Sequence, residues 1–356
     1  MLEPELGGGW EAAPDGWTCK LREGVKFHDG SDFTAEDVVF SFERALAESS
    51  DFKEQAKAVT SVEVIDDYTV KLITDGPNPI LPSNLTNLFM MDKGWAEANN
   101  VVDVQDVEGG EQTFAATNAN GTGAYRLVSR EPDVRTGLEQ NENYWGMEDF
   151  PMDVTRIEYT PIQNAATRVA ALLSGEVDFI QDVPVQDLGR VGETEGLVVK
   201  TAPQNRVIFF GMNMGADDLE NDDVEGKNPL ADVRVRRAMN LAIDQRAILS
   251  SLLNGEGELL NYPFAQRWTE FYTPLEDLSP AAKELFSHNP EKAKKLLADA
   301  GYPKGFSFDV QVCSCSPYHM DVVAMLQAYY QQVGINMNVK TPEYGTVRSQ
   351  HSGRHQ

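Results

Sequence analysis

Residues 17–46, WTCKLREGVKFHDGSDFTAEDVVFSFERAL, read as strand, strand and helix. Trp17, Cys19 and Leu21 alternate with Thr18, Lys20 and Arg22, the period-2 pattern of a half-buried strand. Glu23-Gly24 turns the chain, Val25 to His28 supplies a second short strand, and Asp29-Gly30 is a strong turn dipeptide. Thr34 with Asp37 three residues on is a capping-box pattern, and Val38, Val39, Phe42, Ala45 and Leu46 follow at helical spacing. The same stretch gathers a thiol, an imidazole and several carboxylates, so it offers a choice between chemistry and architecture. His28-Asp29 has the composition of an orienting pair for a general base. Asp before Gly in a turn is nevertheless favoured because its side chain bonds nearby backbone. Glu36 and Asp37 lie in a first helical turn, where carboxylates complement the helix dipole. Architecture accounts for each of them.

Working outward, residues 61–73, SVEVIDDYTVKLI, form two alternating runs around Asp66-Asp67 and predict a hairpin. Pro77, Pro79 and Pro82 break the pattern, and the loop-like tracts up to residue 122 place a subdomain boundary there. Strands return in YRLVSRE, TGLEQN and RIEYTPI; Ala165 to Leu173 reads as a helix ended by Gly175, with EVDFI after it as a strand. VIFFGMN, residues 207–213, is expected to be a strand. Asp232 and Asp244 each precede a helical pattern, running to Ile243 and Leu253. NPEKAKKLLADAGYP carries Asn at the N-cap, Pro at the first helical position and Gly beyond the end. FSFDVQV, DVVAMLQAYYQQVG and INMNVK then read as strand, helix and strand, and this alternation means α/β.

At 356 residues the chain is long enough for two or three domains. Its formal charge of -26 opposes binding to phosphate backbones or anionic lipid, which argues against nucleic acid as a partner. No window approaches about 18 consecutive apolar residues, so no transmembrane segment is expected. MLEPELGGGW has neither the basic nor the apolar region of a secretory leader. The odd count of Cys19, Cys313 and Cys315 excludes a fully paired intrachain framework. Cys313-Ser-Cys315 with His319 nearby matches no familiar zinc spacing and leaves metal capture as the weaker alternative to a cavity lining. Gly121-Thr122-Gly123 lacks the context of a phosphate loop, and the nucleophile-elbow, zincin and kinase patterns are absent. Arg234, Arg236 and Arg237 on one helix, with Asp232 and Asp244 nearby, suit local salt bridges better than anion binding. No catalytic set emerges, and no cofactor is called for.

The blocks just placed resemble, in order and spacing, the family 5 extracellular solute-binding proteins of ABC transporters, the dipeptide, oligopeptide and nickel-chelate binders. Residues 17–46 look like the signature region of that family, with Cys19 where an aromatic is more usual. GTGAYRLVSREPDVRTGLEQNENYWG is similar to the next block, with Ala124 in place of a usual Pro. LLSGEVDFIQDVP, PLADVRVRRAMNLAIDQRAIL and NPEKAKKLLADAGYPKGFSFDV extend the likeness over almost the whole chain. The resemblance implies an α/β, two-lobe periplasmic-binding-protein-like (type II) fold with an extra subdomain. Residues 1–120 would be that subdomain, 121–205 the α/β core of the first lobe, and 206–356 a truncated second lobe. It further implies that EPELGGGWE follows a missing leader and first strands, and that PEYGTVRSQHSGRHQ stops within an incomplete second lobe.

By the same resemblance, a small solute, expected to be a peptide, lies between the lobes, and closure about a hinge presents it to ABC permease subunits. The protein would be periplasmic or cell-surface, non-enzymatic, and monomeric when complete. Matching positions nominate Gln181, Asp182 and Val183 after EVDFI, Phe210 and Asn213 on the crossover strand, and Cys313, Cys315, Tyr318 and His319 after FDVQV as cleft residues. CSCSPYH lacks the Arg that some dipeptide binders carry there, which argues against strict dipeptide specificity. A cytoplasmic transcription regulator using the fold as its sensor is the alternative from another class.

Overall fold

The computed structural model describes residues 5–106, 109–202, 207–215, 219, 223–224, 226–260, 266, 268–312 and 317–342. It divides into two compact units, Met1–Pro161 and Ile162–Gln356.

In the first unit, β1 (Gly7–Ala13), β2 (Gly16–Leu21), β3 (Val59–Asp66) and β4 (Thr69–Thr74) form an antiparallel sheet in the order β1-β2-β4-β3. Trp17 sits opposite Leu72 and Cys19 opposite Val70, so the alternation read in the sequence points one apolar row at the core. Helix α1 (Ala35–Ala45) covers that row, burying Val38 and Phe42 with Phe27, Phe33, Val59, Val70 and Leu72. The Cys19 thiol, desolvated by this packing, is pushed up to about 11 and stays protonated at neutral pH.

The second strand expected from Val25 to His28 shrinks to one bridge, Lys26 to Asp32. Gly30, at φ 96°, reverses the chain at once, and the Phe27 N–H closes the turn on the Ser31 carbonyl at 2.9 Å. No length remains for a ladder. Short helices α2 (Lys53–Ala56), α3 (Leu81–Asn84) and α4 (Lys93–Ala98) follow. A second antiparallel sheet comprises β5 (Tyr125–Glu131), β6 (Arg135–Gln140) and β7 (Arg156–Tyr159), with Leu138 opposite both Leu127 and Ile157.

The second unit begins with α5 (Ala165–Ser174), which ends at Gly175 in the left-handed region at φ 76°. Its buried Val169 and Leu172 build a small core with Val191 of α6 (Leu188–Gly192) and the flanking Ile180 and Val183. Helices α7 (Val233–Ala242), α8 (Gln245–Leu252), α9 (Pro280–Glu284), α10 (Pro290–Asp299) and α11 (Pro317–Gln332) follow, with β8 (Ser307–Gln311) and β9 (Asn336–Lys340) paired in parallel. The predicted caps are present: Asp232 accepts from the Arg234 N–H, Asp244 from Ala247 and Asn289 from Lys292. A larger core gathers Val235, Met239, Leu241, Leu297, Phe306, Phe308, Tyr330 and Met337. The arginines of α7 serve local contacts, Arg234 to Asp232 at 2.6 Å and Arg237 to Glu284 at 2.8 Å, while Arg236 donates to the Leu230 and Ala231 carbonyls.

Two expected strands are not strands. After Gly175, the Glu176 and Val177 N–H groups bond back to the Ala171 carbonyl, so the start of EVDFI caps α5 instead of entering a ladder. In VIFFGMN, Phe210 and Met212 pack against the larger core in alternation, yet the segment has no ladder partner among the described residues. Alternation alone specifies a face, whereas a strand also needs a neighbour.

Candidate functional site

The chemical-looking side chains of residues 28–37 are engaged locally: His28, Asp29 and Asp37 bond to backbone, while Asp32 and Glu36 are exposed and pair with Lys26 and Lys93. The Gly121 N–H donates to His28 Nδ1 at 3.3 Å, so the ring hydrogen sits on Nε2, which donates to the Gly123 carbonyl at 3.0 Å. The Asp29 carboxylate accepts the Ser31 N–H at 3.0 Å and hydroxyl at 2.6 Å. Partial burial would raise its pKa, but the bonds from Ser31 and Asn120 win and hold it below the usual carboxylate range. Asp37 accepts from the Thr34 N–H at 2.8 Å, which completes the cap, and from the Lys93 N–H at 3.0 Å. Burial pushes the Asp37 carboxyl up; these bonds oppose the rise, and the charge of Asp92 adds to it. Asp92 itself caps α4 through the Trp95 N–H, accepts from the Asn120 amide and shares the single Ser31 hydroxyl hydrogen with Asp29. A hollow of about 630 Å³ borders this network beside Lys26, His28, Asn141 and Tyr144.

The turn after α5 behaves in the opposite way. Ile180 and Val183 dock into the small core, so the two residues between them must reverse direction over an exposed surface. Asp182 does so at φ 57°, a left-handed conformation uncommon for a residue with a Cβ. Gln181 and Asp182 are exposed, and Phe179 beside them is 79% exposed. Arg168 of α5 reaches this turn: Nη1 donates to the Ile162 carbonyl at 2.8 Å and Nη2 to the Asp182 carbonyl at 3.5 Å. The outward set is a ring, an amide and a carboxylate. It can stack, accept and donate hydrogen bonds and attract an ammonium group.

Phe210 lies in the larger core, edge-on to Phe308 and Tyr330 at 6.3 Å in each case. Asn213 is exposed, and its carbonyl accepts from the Asn228 side chain at 2.8 Å. Tyr318 and His319 are half-buried in the first turn of α11, while Cys313 and Cys315 lie outside the described residues. No group of three or more His, Cys, Asp and Glu residues able to hold a metal occurs among the described residues. No described helix is long and apolar enough to cross a membrane. Sequence reading passed over Phe179 and Arg168. Phe179 was hidden in an apparent strand, and Arg168 has the pattern of an ordinary helix-surface cation.

The family model for bacterial extracellular solute-binding proteins, family 5 Middle, matches residues 2–356. Heme-binding protein A of Haemophilus influenzae is 27% identical, over 98% of this chain and 63% of that protein. The dipeptide-binding protein of Escherichia coli is 26% identical, over 99% and 66%. The chain thus spans slightly less than two thirds of the length of these relatives. Among solved structures, NikZ of Campylobacter jejuni in complex with Ni(L-His) superposes with a TM-score of 0.73 at 23% identity, covering 97% of this chain and 66% of that one. DppA of Helicobacter pylori in complex with the peptide STSA gives 0.72 at 24% identity, with the same coverage. The mixed helix and strand architecture is that of the type II periplasmic binding proteins.

Proposed function

Because this chain belongs to the family 5 bacterial extracellular solute-binding proteins, we propose that it is the capturing component of an ABC importer. It takes up a peptide or similar small solute outside the cytoplasmic membrane, hands it to permease subunits and performs no chemistry on it. The observation that carries this reading is the family match over residues 2–356, to which the 26% identical dipeptide-binding relative adds the ligand class. The extra subdomain is assigned to residues 1–120, the first-lobe core to 121–205 and the second lobe to 206–356, in a protein that acts as a monomer.

Ligand contact is assigned to Gln181, Asp182 and Val183, with Phe210, Asn213, Cys313, Cys315, Tyr318 and His319 as further contributors. Exposure of Gln181 and Asp182 supports those two most directly. A bound solute stabilises the folded state by mass action, by about 2.7 kcal/mol at a hundredfold excess over Kd. Thermal unfolding of the chain against di- and tripeptides, hemin and nickel–histidine should show a raised Tm for peptides. Silence across all of them refutes the reading, and a response to hemin or nickel–histidine alone moves the ligand class away from peptides.

A further inference from the structure

We propose that Arg168 is a positioning residue for the 181–183 turn, holding the backbone of Asp182 in the conformation that presents Gln181 and Asp182; the consequence for ligand rests on the reading of this turn as a ligand edge.

Three observations converge. First, among the described residues the Arg168 guanidinium donates to two main-chain carbonyls, Ile162 at 2.8 Å and Asp182 at 3.5 Å, in a chain where 56 carboxylates compete for 30 cationic side chains. A planar fork that reaches two segments at once fixes their spacing, which a lysine ammonium on one flexible stem does not. Second, the Asp182 carbonyl belongs to a residue at φ 57°, where an L side chain meets a steric cost that the surroundings must offset. Third, Ile180 and Val183 anchor the chain on either side of this residue in the small core, so the turn is held by two apolar pins and one cationic clasp. Removing the clasp leaves the pins and releases the strained peptide between them. Phe179, 79% exposed next to the first pin, is a natural reporter of that release.

The clasp is needed because residue 182 carries a side chain. Glycine occupies the left-handed region without that cost, so Asp182→Gly should make Arg168 dispensable for the shape of the turn. The test is native-state chymotryptic cleavage after Phe179 in the 356-residue chain, in the parent, Arg168→Gln, Asp182→Gly and the double variant, with circular dichroism to confirm folding. Cleavage reports the open population of the turn when opening is fast. Arg168→Gln is expected to speed it about tenfold, and the double variant to return within about twofold of the parent. Arg168→Lys should fall between, and it serves as the probe if Arg168→Gln does not fold.

An unchanged rate in Arg168→Gln, or acceleration that Asp182→Gly fails to reverse, overturns the proposal. The same four proteins are then titrated with the peptide panel. Weaker peptide binding in Arg168→Gln, at an unchanged ligand-free Tm, connects the clasp to function. If the parent binds no peptide, the ligand reading falls, while the cleavage comparison still decides the role of Arg168.

Discussion

The signature stretch around residues 28–37 and the turn around residues 179–183 use polar side chains in opposite ways. In the first, His28, Asp29, Ser31, Thr34 and Asp37 end on backbone, on one another or on Asp92, and Phe27 and Phe33 close the core beneath them. In the second, Gln181 and Asp182 face solvent, and among the described residues apolar pins and one arginine hold the backbone. A dense run of acid and base therefore marks a place where loops are fastened, because His28, Asp29 and Asp37 find hydrogen-bond partners there. The outward-facing groups of the second stretch lie in LLSGEVDFIQDVP, where family resemblance singles them out and residue chemistry does not.

That contrast can be broken by mutation. Phe33, 1% exposed and edge-on to Phe27 at 6.0 Å, should give the largest effect: Phe33→Ala is expected to cost about 3–5 kcal/mol in denaturant unfolding. Asp92→Ala leaves the Trp95 N–H and the Asn120 amide without their acceptor, and should cost about 2–3 kcal/mol. If it costs nothing, the polar network does not fasten the first unit.

Within the signature stretch, pH separates two carboxylates of opposite sign. The folded-state pKa of Asp37 is raised, so its stabilising contribution is full below the unfolded value of about 3.9 and is lost as pH rises through the folded value. Asp29 is lowered, so its contribution is present above the unfolded value and is lost as pH falls. Measured from pH 3 to 7 (about the range in which carboxylates titrate), the parent should lose stability relative to Asp37→Asn with rising pH and gain it relative to Asp29→Asn. The smallest effect belongs to the other region. Phe179→Ala and Gln181→Ala should shift unfolding by less than about 0.5 kcal/mol while weakening ligand response. A large loss of stability there would erase the distinction between the two regions.

Much of this was legible in the sequence where the determining interactions are local. The caps at Thr34, Asp232, Asp244 and Asn289 link residues two or three positions apart, so the residue types suffice to place them. The hairpin at Asp66-Asp67 and the core-facing row of Trp17, Cys19 and Leu21 follow from alternation, whereas the register that puts Trp17 opposite Leu72 does not. The 176–180 and 207–213 segments misled for one reason: alternating or β-rich residues predict an exposed and a buried face, but pairing depends on what lies alongside. In the first, the C-cap of α5 took the N–H groups; in the other, no ladder partner lies among the described residues.

By itself the sequence determined helices α1, α5, α7, α8, α10 and α11, the hairpin and the family, since these rest on spacing over a few residues and on the order of blocks along the chain. Tertiary structure alone decided that His28 meets Gly121 and Gly123, residues more than 90 positions away, and is thereby a fastening. It also decided that Asp182 lies in the left-handed region under the hand of Arg168, with Phe179 turned outward. These outcomes depend on which distant groups arrive at hydrogen-bonding distance, and no local pattern encodes that arrival.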